Sequence, residues 1–199
     1  MSKFTEKWKK KSLFSKITDL LFVVLIVALL TPGGRLAIGG FVNRIKAMII
    51  NPDTSGENIA ILKESDYNWQ LTDLDNNTIN FSDFKGKVIF LNFWETWCPP
   101  CVGEMPEIQE LYDNFKNNEN VKLLLVSDEP VEKVKTFIKK RGYTFPVYIL
   151  RTRKPSIFHS PSIPTSFLIS KKGEIKIKET GAANWGGDKM KKFVEELAN

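Results

Sequence analysis

Residues 87–108 read KVIFLNFWETWCPPCVGEMPEI, and the topology turns on this stretch. Lys87 to Phe93 is a continuous apolar run of strand length, as expected for a strand buried on both faces. A helical stretch follows from about Pro99 to Lys116, with Ile108, Leu111, Tyr112 and Phe115 at helical spacing. Between the two, Trp97-Cys98-Pro99-Pro100-Cys101 falls where the strand hands over to the helix. A helix N-terminus carries unsatisfied N–H groups and a partial positive charge, both of which favour a thiolate over a thiol. Cys98 takes the cap position. Proline at the first helical position costs nothing, since its missing N–H would be unpaired there anyway. Cys101 lies one turn on, within disulfide reach of Cys98. The expected cycle is attack by the Cys98 thiolate on a target disulfide, a mixed disulfide, and resolution by Cys101.

Blander readings of the pair are weak. A structural disulfide here would close a very short loop and gain little chain-entropy stabilisation. Two cysteines and one histidine, His159, cannot supply an ordinary structural zinc site, so no metal is assigned. Unrelated core thiols would need neither the Pro-Pro spacer nor this position. Pro99 and Pro100 lack N–H groups, which leaves Cys101 N–H as the nearby donor to a Cys98 thiolate. A reducing potential is the expectation.

On the N-terminal side, 69–72 and 78–81 flank Asp75-Asn76-Asn77, a strand–turn–strand signal. On the C-terminal side, Val121 to Val126 is a second buried strand, and Pro130 to Lys140 a second helix. Strands are expected at 145–150, 166–169 and 174–178, the last two joined by Lys171-Lys172-Gly173, and 188–197 closes as an amphipathic helix. The order predicts an α/β fold, with a mixed parallel and antiparallel central sheet and helices on both faces.

The segment Phe93 to Cys101, followed by Glu104-Met105-Pro106, resembles the active-site region of thioredoxin-like proteins, and more closely that of membrane-anchored TlpA/ResA-type disulfide reductases. The similarity covers roughly residues 68–199, including Ser162-Ile163-Pro164-Thr165-Ser166 before the penultimate strand. It implies a thioredoxin-like fold. It also implies that Pro164 is the family's cis-proline beside the cysteines, although an ordinary trans proline opening a strand remains open. A cis peptide there would leave the Ile163 backbone to pair with a substrate strand. Thioredoxins carry a buried Asp in the central strand, where this chain has Asn92, which cannot ionise. Glu104 matches the active-site Glu of the ResA type and is the expected proton acceptor for Cys101. Glu95 stands where family members usually carry a small residue, and flanks the site. Trp97 is read as a flat apolar contact beside Cys98, Trp94 as a core residue, and Pro106 as a structural helix kink.

The formal charge of +6 is confined to the N-terminal quarter. Residues 1–19 carry six lysines against two acids, 20–50 add three basic residues and no acid, and 51–199 net −1. Basic residues against the apolar run Leu20 to Leu30 read as a membrane topology signal, and no nucleic-acid partner is expected. Eleven apolar residues are short for a span, so a cleaved signal peptide competes with an anchor continued through Pro32 and 36–42. The anchor is the favoured reading, and residues 41–50 mix apolar and basic side chains as an interfacial segment would. The expected organisation is a cytoplasmic basic segment at 1–19, an anchor or signal peptide at 20–42, a juxtamembrane linker at 43–67 and a thioredoxin-like domain at 68–199. The chain then sits in the cell membrane as a single-pass protein with its domain extracytoplasmic.

The leading function is a thiol:disulfide oxidoreductase that reduces protein disulfides through Cys98 and Cys101 without a cofactor. Catalysis is assigned to Cys98, Cys101 and Glu104, and substrate contact to Trp97, Ile163 and Pro164. The resemblance adds apocytochrome c as a candidate target and a membrane thiol relay as electron source. The alternatives are a disulfide oxidase or isomerase, and a copper-delivery module using Cys98, Cys101 and His159.

Overall fold

The computed structural model describes residues 12–199, so the lysines at 3, 7, 9, 10 and 11 lie outside the described residues. The described chain begins with helix α1 (Leu13–Leu30), whose length and composition suffice to cross a membrane, and helix α2 (Pro32–Ile49). The stretch from 36 to 49 is therefore helical, after a break at Thr31.

The polar segment after α2 leads to β1 (Ala60–Ile61), β2 (Gln70–Asp73) and β3 (Thr78–Asn80). The hairpin turn between β2 and β3 holds Asn76 at φ 65°, the left-handed conformation that Asn tolerates better than most residues. Asp73 anchors that turn by accepting from the N–H groups of Asp75 and Asn77.

Next come β4 (Val88–Phe93), α3 (Pro99–Phe115), β5 (Val121–Ser127), α4 (Val131–Arg141) and β6 (Val147–Leu150). The chain closes with β7 (Thr165–Ile169), β8 (Glu174–Thr180) and α5 (Asp188–Ala198). Helix α4 ends at Gly142, whose positive φ lets its N–H reach the carbonyls of Ile138 and Lys139.

The strands form one sheet in the order β1-β8-β7-β4-β5-β6-β2-β3. β4, β5 and β6 are parallel and every other pairing is antiparallel. The mixed sheet expected from the sequence is present, with two β-α-β crossovers, β4-α3-β5 and β5-α4-β6. The leading hairpin adds to the β6 edge.

β4 lies at the centre with all six residues buried. Its alternate side chains divide between two cores. Val88 and Phe90 join residues of α3, α4 and α5, including Met105, Ile108, Val134, Met190 and Val194. Ile89, Leu91 and Phe93 join Tyr67, Phe81 and Phe158, which come from the short 3-10 turns Glu64–Tyr67, Phe81–Phe84 and Ser156–Phe158. Helices thus cover both faces, but the second cover consists of single turns rather than α-helices. Phe158 is its hub, fully buried against the rings of Trp69, Phe81, Phe93 and Phe167. Replacing Phe158 by Ala is expected to cost about 3–5 kcal/mol, read as a lower urea midpoint.

Candidate active site

The C-terminal end of β4 delivers the chain to α3 through the loop 94–98. Cys98 is the N-cap of α3, Pro99 and Pro100 open the helix, and Cys101 supplies the capping donor, with its N–H 3.2 Å from Cys98 Sγ. The two cysteines form a disulfide across 5.3 Å between Cα atoms. Both are buried. The carbonyl oxygen of Ile163 lies 3.7 Å from Cys98 Sγ, so the loop before β7 lies beside the disulfide, and the Ile163–Pro164 peptide in it is cis. Among the described residues the Ile163 N–H meets no backbone acceptor.

Trp97 is 62% exposed next to Cys98, whereas Trp94 is buried and its ring lies 5.7 Å from that of Phe137. The two tryptophans divide as their positions in the sequence suggest. Pro106 lies inside α3, and its missing N–H leaves the Val102 carbonyl without its helical donor.

Glu104, one turn beyond Cys101, is fully buried. One carboxyl oxygen accepts from Asn92 Nδ2 at 2.9 Å, and the other from Trp185 Nε1 at 3.0 Å and the Ala183 N–H at 3.3 Å. Asn92 Nδ2 also donates to Ser166 Oγ at 2.8 Å. Burial pushes the Glu104 carboxyl up to about 8, against the three N–H donors, which pull it down. It therefore carries a proton at neutral pH and titrates close to a thiol, which suits exchange of a proton with one. Asn92 cannot take that proton and instead fixes the carboxyl from the central strand. Ser166, Ala183 and Trp185 have no sequence signature. They reach Glu104 from distant segments, and only the folded chain assembles them.

An acidic pair, Glu95 and Glu129, is brought together only by the fold. Glu95, buried in the loop before Cys98, accepts from Ser127 Oγ at 2.8 Å and from the Asp128 N–H at 3.1 Å. Glu129 accepts from the Thr96 N–H at 2.6 Å and Thr96 Oγ1 at 3.1 Å, and pairs with Lys133. Burial, then the neighbouring Asp128 and Glu129, push Glu95 up to about 8. For Glu129 burial acts the same way, but Lys133, the Thr96 N–H and Glu95 outweigh it and hold its carboxyl below the ordinary value. Glu95 thus keeps the proton and Glu129 the charge. Together they clamp the loop that presents Trp97 and Cys98 onto the end of β5.

His159 belongs elsewhere. It is exposed at the end of the turn Ser156–Phe158 and lines a cleft with Ser65, Asp66 and Lys154. Among the described residues no group of three or more His, Cys, Asp or Glu side chains is gathered as a metal site, so the Cys98, Cys101 and His159 set is not assembled. The copper-delivery alternative is corrected on that ground: His159 lines the cleft with Ser65 and Asp66 and is not gathered with the two cysteines.

Comparisons with known proteins agree with this geometry. The model of the AhpC/TSA family matches residues 64–178. A thiol-disulfide oxidoreductase ResA of Bacillus cereus is 41% identical over 126 residues, covering 63% of this chain and 72% of that one. The ResA of Geobacillus kaustophilus is 43% identical over 113 residues, covering 56% and 64% respectively. Among solved structures, the thioredoxin domain of a thiol-disulfide oxidoreductase from Bacteroides vulgatus superposes with a TM-score of 0.53 at 24% identity, over 72% of this chain and 97% of that one. A thiol:disulfide interchange protein from Chlorobium tepidum gives a TM-score of 0.53 at 22% identity, over 66% and 93%. At those identities the structures speak for the fold, and the sequence relatives for the family. A thioredoxin-like sheet, a Cys-Pro-Pro-Cys helix start and a cis-proline loop all come together in one chain that belongs to the AhpC/TSA family, among its ResA-type thiol-disulfide oxidoreductases.

Proposed function

We propose that the chain reduces disulfides of proteins outside the cytoplasm, with Cys98 as nucleophile, Cys101 as resolving thiol and Glu104 as the acid–base group that serves Cys101. The observation that carries this reading is a dithiol pair at a helix N-cap, one turn from a fully buried carboxyl that titrates near a thiol. In the reduced protein the Cys98 thiolate attacks one sulfur of a target disulfide. A Cys98–target disulfide forms and one target thiolate leaves. Cys101 passes its proton to the ionised form of Glu104, which is populated as pH approaches 8, and attacks the Cys98 sulfur. The second target thiolate then leaves, two electrons have moved to the target, and Cys98–Cys101 is oxidised. Trp97 supplies a flat apolar contact, and the Ile163 backbone before Pro164 offers its N–H to a target strand.

The N-terminal region completes the reading. Helix α1 is the single membrane span, the lysine-rich end before it stays in the cytoplasm, and the domain from residue 68 works on the other side. A membrane thiol relay resets the disulfide, because an exported domain cannot meet cytoplasmic dithiols. Apocytochrome c, with its paired haem-binding cysteines, is the candidate target that the family resemblance adds. The test is to express Cys101→Ser and identify what is trapped on Cys98. Haem-protein precursors support cytochrome maturation, a broad catch means general reduction, and no trapped protein sinks the proposal.

The direction of electron flow has its own test. Pro100 removes one of the two N–H groups that ordinarily serve an N-cap side chain. Restoring it with Pro100→Ala is expected to lower the Cys98 thiol pKa and stabilise the reduced form. The disulfide potential should become more oxidising by about 30 mV for each ~1.4 kcal/mol gained by the thiolate. A parent potential already in the range of dedicated oxidants would favour the oxidase alternative instead.

Glu104→Gln should slow resolution of the mixed disulfide by about 100-fold, the lower range for general acid–base catalysis. It should also remove the rise in resolution rate that the parent shows as pH approaches 8. Stability supplies a second readout. The Glu104 pKa is raised from 4.5 to about 8 on folding, so the folded state holds an extra proton between those values. Its stabilising contribution is complete below pH 4.5 and is lost as pH rises through about 8. The parent's denaturation midpoint should therefore fall across that window, and fall less steeply in Glu104→Gln.

A further inference from the structure

Helix α2 is not a loose tether. Thr31 breaks the chain between α1 and α2 and ties the two together, since its hydroxyl donates to the Ala28 carbonyl and accepts from the Gly34 N–H. A side chain at Gly34 would collide with the Ala28 carbonyl oxygen, so the corner is fixed by close backbone approach. Arg35 Nε closes it from the other side, donating to the Leu29 carbonyl at 2.6 Å.

From that corner α2 runs along the active-site helix α3 with glycine on both sides of the contact. A Cβ on Gly39 would stand 2.9 Å from Pro99 Cβ, and one on Gly103 would stand 2.9 Å from both the Arg44 backbone nitrogen and Asn43 Cβ. Gly40 faces Val102. The far end is pinned as well: Asn184 donates through Nδ2 to the Met48 carbonyl and through its backbone N–H to the Ile50 carbonyl. Asn184 lies between Ala183 and Trp185, two of the three donors that hold Glu104.

Among the described residues the opposite side of α2 is apolar and uncovered. Phe41, Val42, Ile45, Met48 and Ile49 recur at helical spacing and are exposed, Phe41 by 67% and Ile49 by 71%. At 100° per residue, Arg35 and Arg44 fall on the two flanks of that stripe, and both are exposed. Gly33, at the start of α2, lines a cleft with Trp97, Lys133 and Lys140.

We propose that α2 lies in the lipid–water interface, with its Phe41–Ile49 face in the bilayer and its glycine face on α3, so that the Cys98 site is held at the membrane surface. The proposal rests on the reading of α1 as the span. The stripe is continuous with α1 through a rigid corner, which puts lipid within reach, and its flanking arginines suit the phosphates of anionic headgroups. The electron donor is then a membrane protein whose thiols open at the same lipid surface. It meets the site in two dimensions rather than by capturing a freely swinging domain.

Site-directed spin labelling tests this with the full chain, in vesicles of phosphatidylcholine and phosphatidylglycerol. In a Cys98→Ser/Cys101→Ser background, single cysteines replace Val24, Ile45, Lys140 or Ser65 and carry a nitroxide. Collision with lipid-soluble oxygen is compared with collision with an aqueous nickel chelate. Val24 reports the span, Ile45 the stripe, Lys140 the Trp97 cleft, and Ser65 the turn on the opposite face of the sheet. Oxygen preference at Ile45 several-fold above that at Ser65, with Lys140 between them, is the expected result. An Ile45 label as open to the chelate as Ser65, while Val24 lies in lipid, overturns the proposal and leaves the span intact. An Ile45 label shielded from both reagents means protein covers the stripe, and also overturns it. A Lys140 label matching Ser65 refutes the placement of the redox site at the surface. A Val24 label open to the chelate sinks the span, and this proposal with it.

Discussion

One buried carboxyl holds the site together. Glu104 binds four separate segments at a single point: α3 through its own backbone, β4 through Asn92, β7 through Asn92 and Ser166, and the 183–185 loop through Ala183 and Trp185. A carboxyl removed from water is tolerable only when protonated or fully bonded, and here three N–H donors meet it. Its position one turn from Cys101 means that the fixture of the site also has the proton affinity that thiol chemistry uses.

The acidic pair Glu95 and Glu129 solves a different problem. The loop between β4 and α3 must present Trp97 to solvent and Cys98 at the helix start, and a loop so placed has few apolar anchors of its own. Glu129 takes the Thr96 backbone and hydroxyl, Glu95 takes Ser127 and the Asp128 N–H, and the proton kept by Glu95 lets two carboxyls sit together. Lys133 balances the remaining charge. The exposed tryptophan is thus carried on a polar clamp, while its neighbour Trp94 is carried on the core.

The cover of the sheet shows how far periodicity reaches. The helix stripes in 99–116, 130–140 and 188–197 are amphipathic and legible, as are the buried runs of β4 and β5. The second face depends on Tyr67, Phe81 and Phe158, isolated aromatics in single turns with no period to read. Helix α2 is hidden for a related reason. Its sequence reads as an anchor continued through 36–42 and an interfacial segment at 41–50, but its packing on α3 does not show, because the partner that makes glycine useful there, Gly103 of α3, lies far along the chain.

Local pattern was enough for the strand–Cys-Pro-Pro-Cys–helix order, the hairpin turn at Asn76, the capping donor from Cys101 and the separation of Trp94 from Trp97. Each of these follows from a rule that acts over a few residues: side-chain period, proline's missing donor, and the tolerance of Asn for positive φ. What surrounds them came from long-range packing. It chose the donors to Glu104, joined Glu95 to Glu129, set His159 in the cleft beside Ser65 and laid α2 along α3. These outcomes depend on pairs of residues tens of positions apart, whose encounter is set by packing two cores around one sheet, and no short-range pattern encodes a partner that distant.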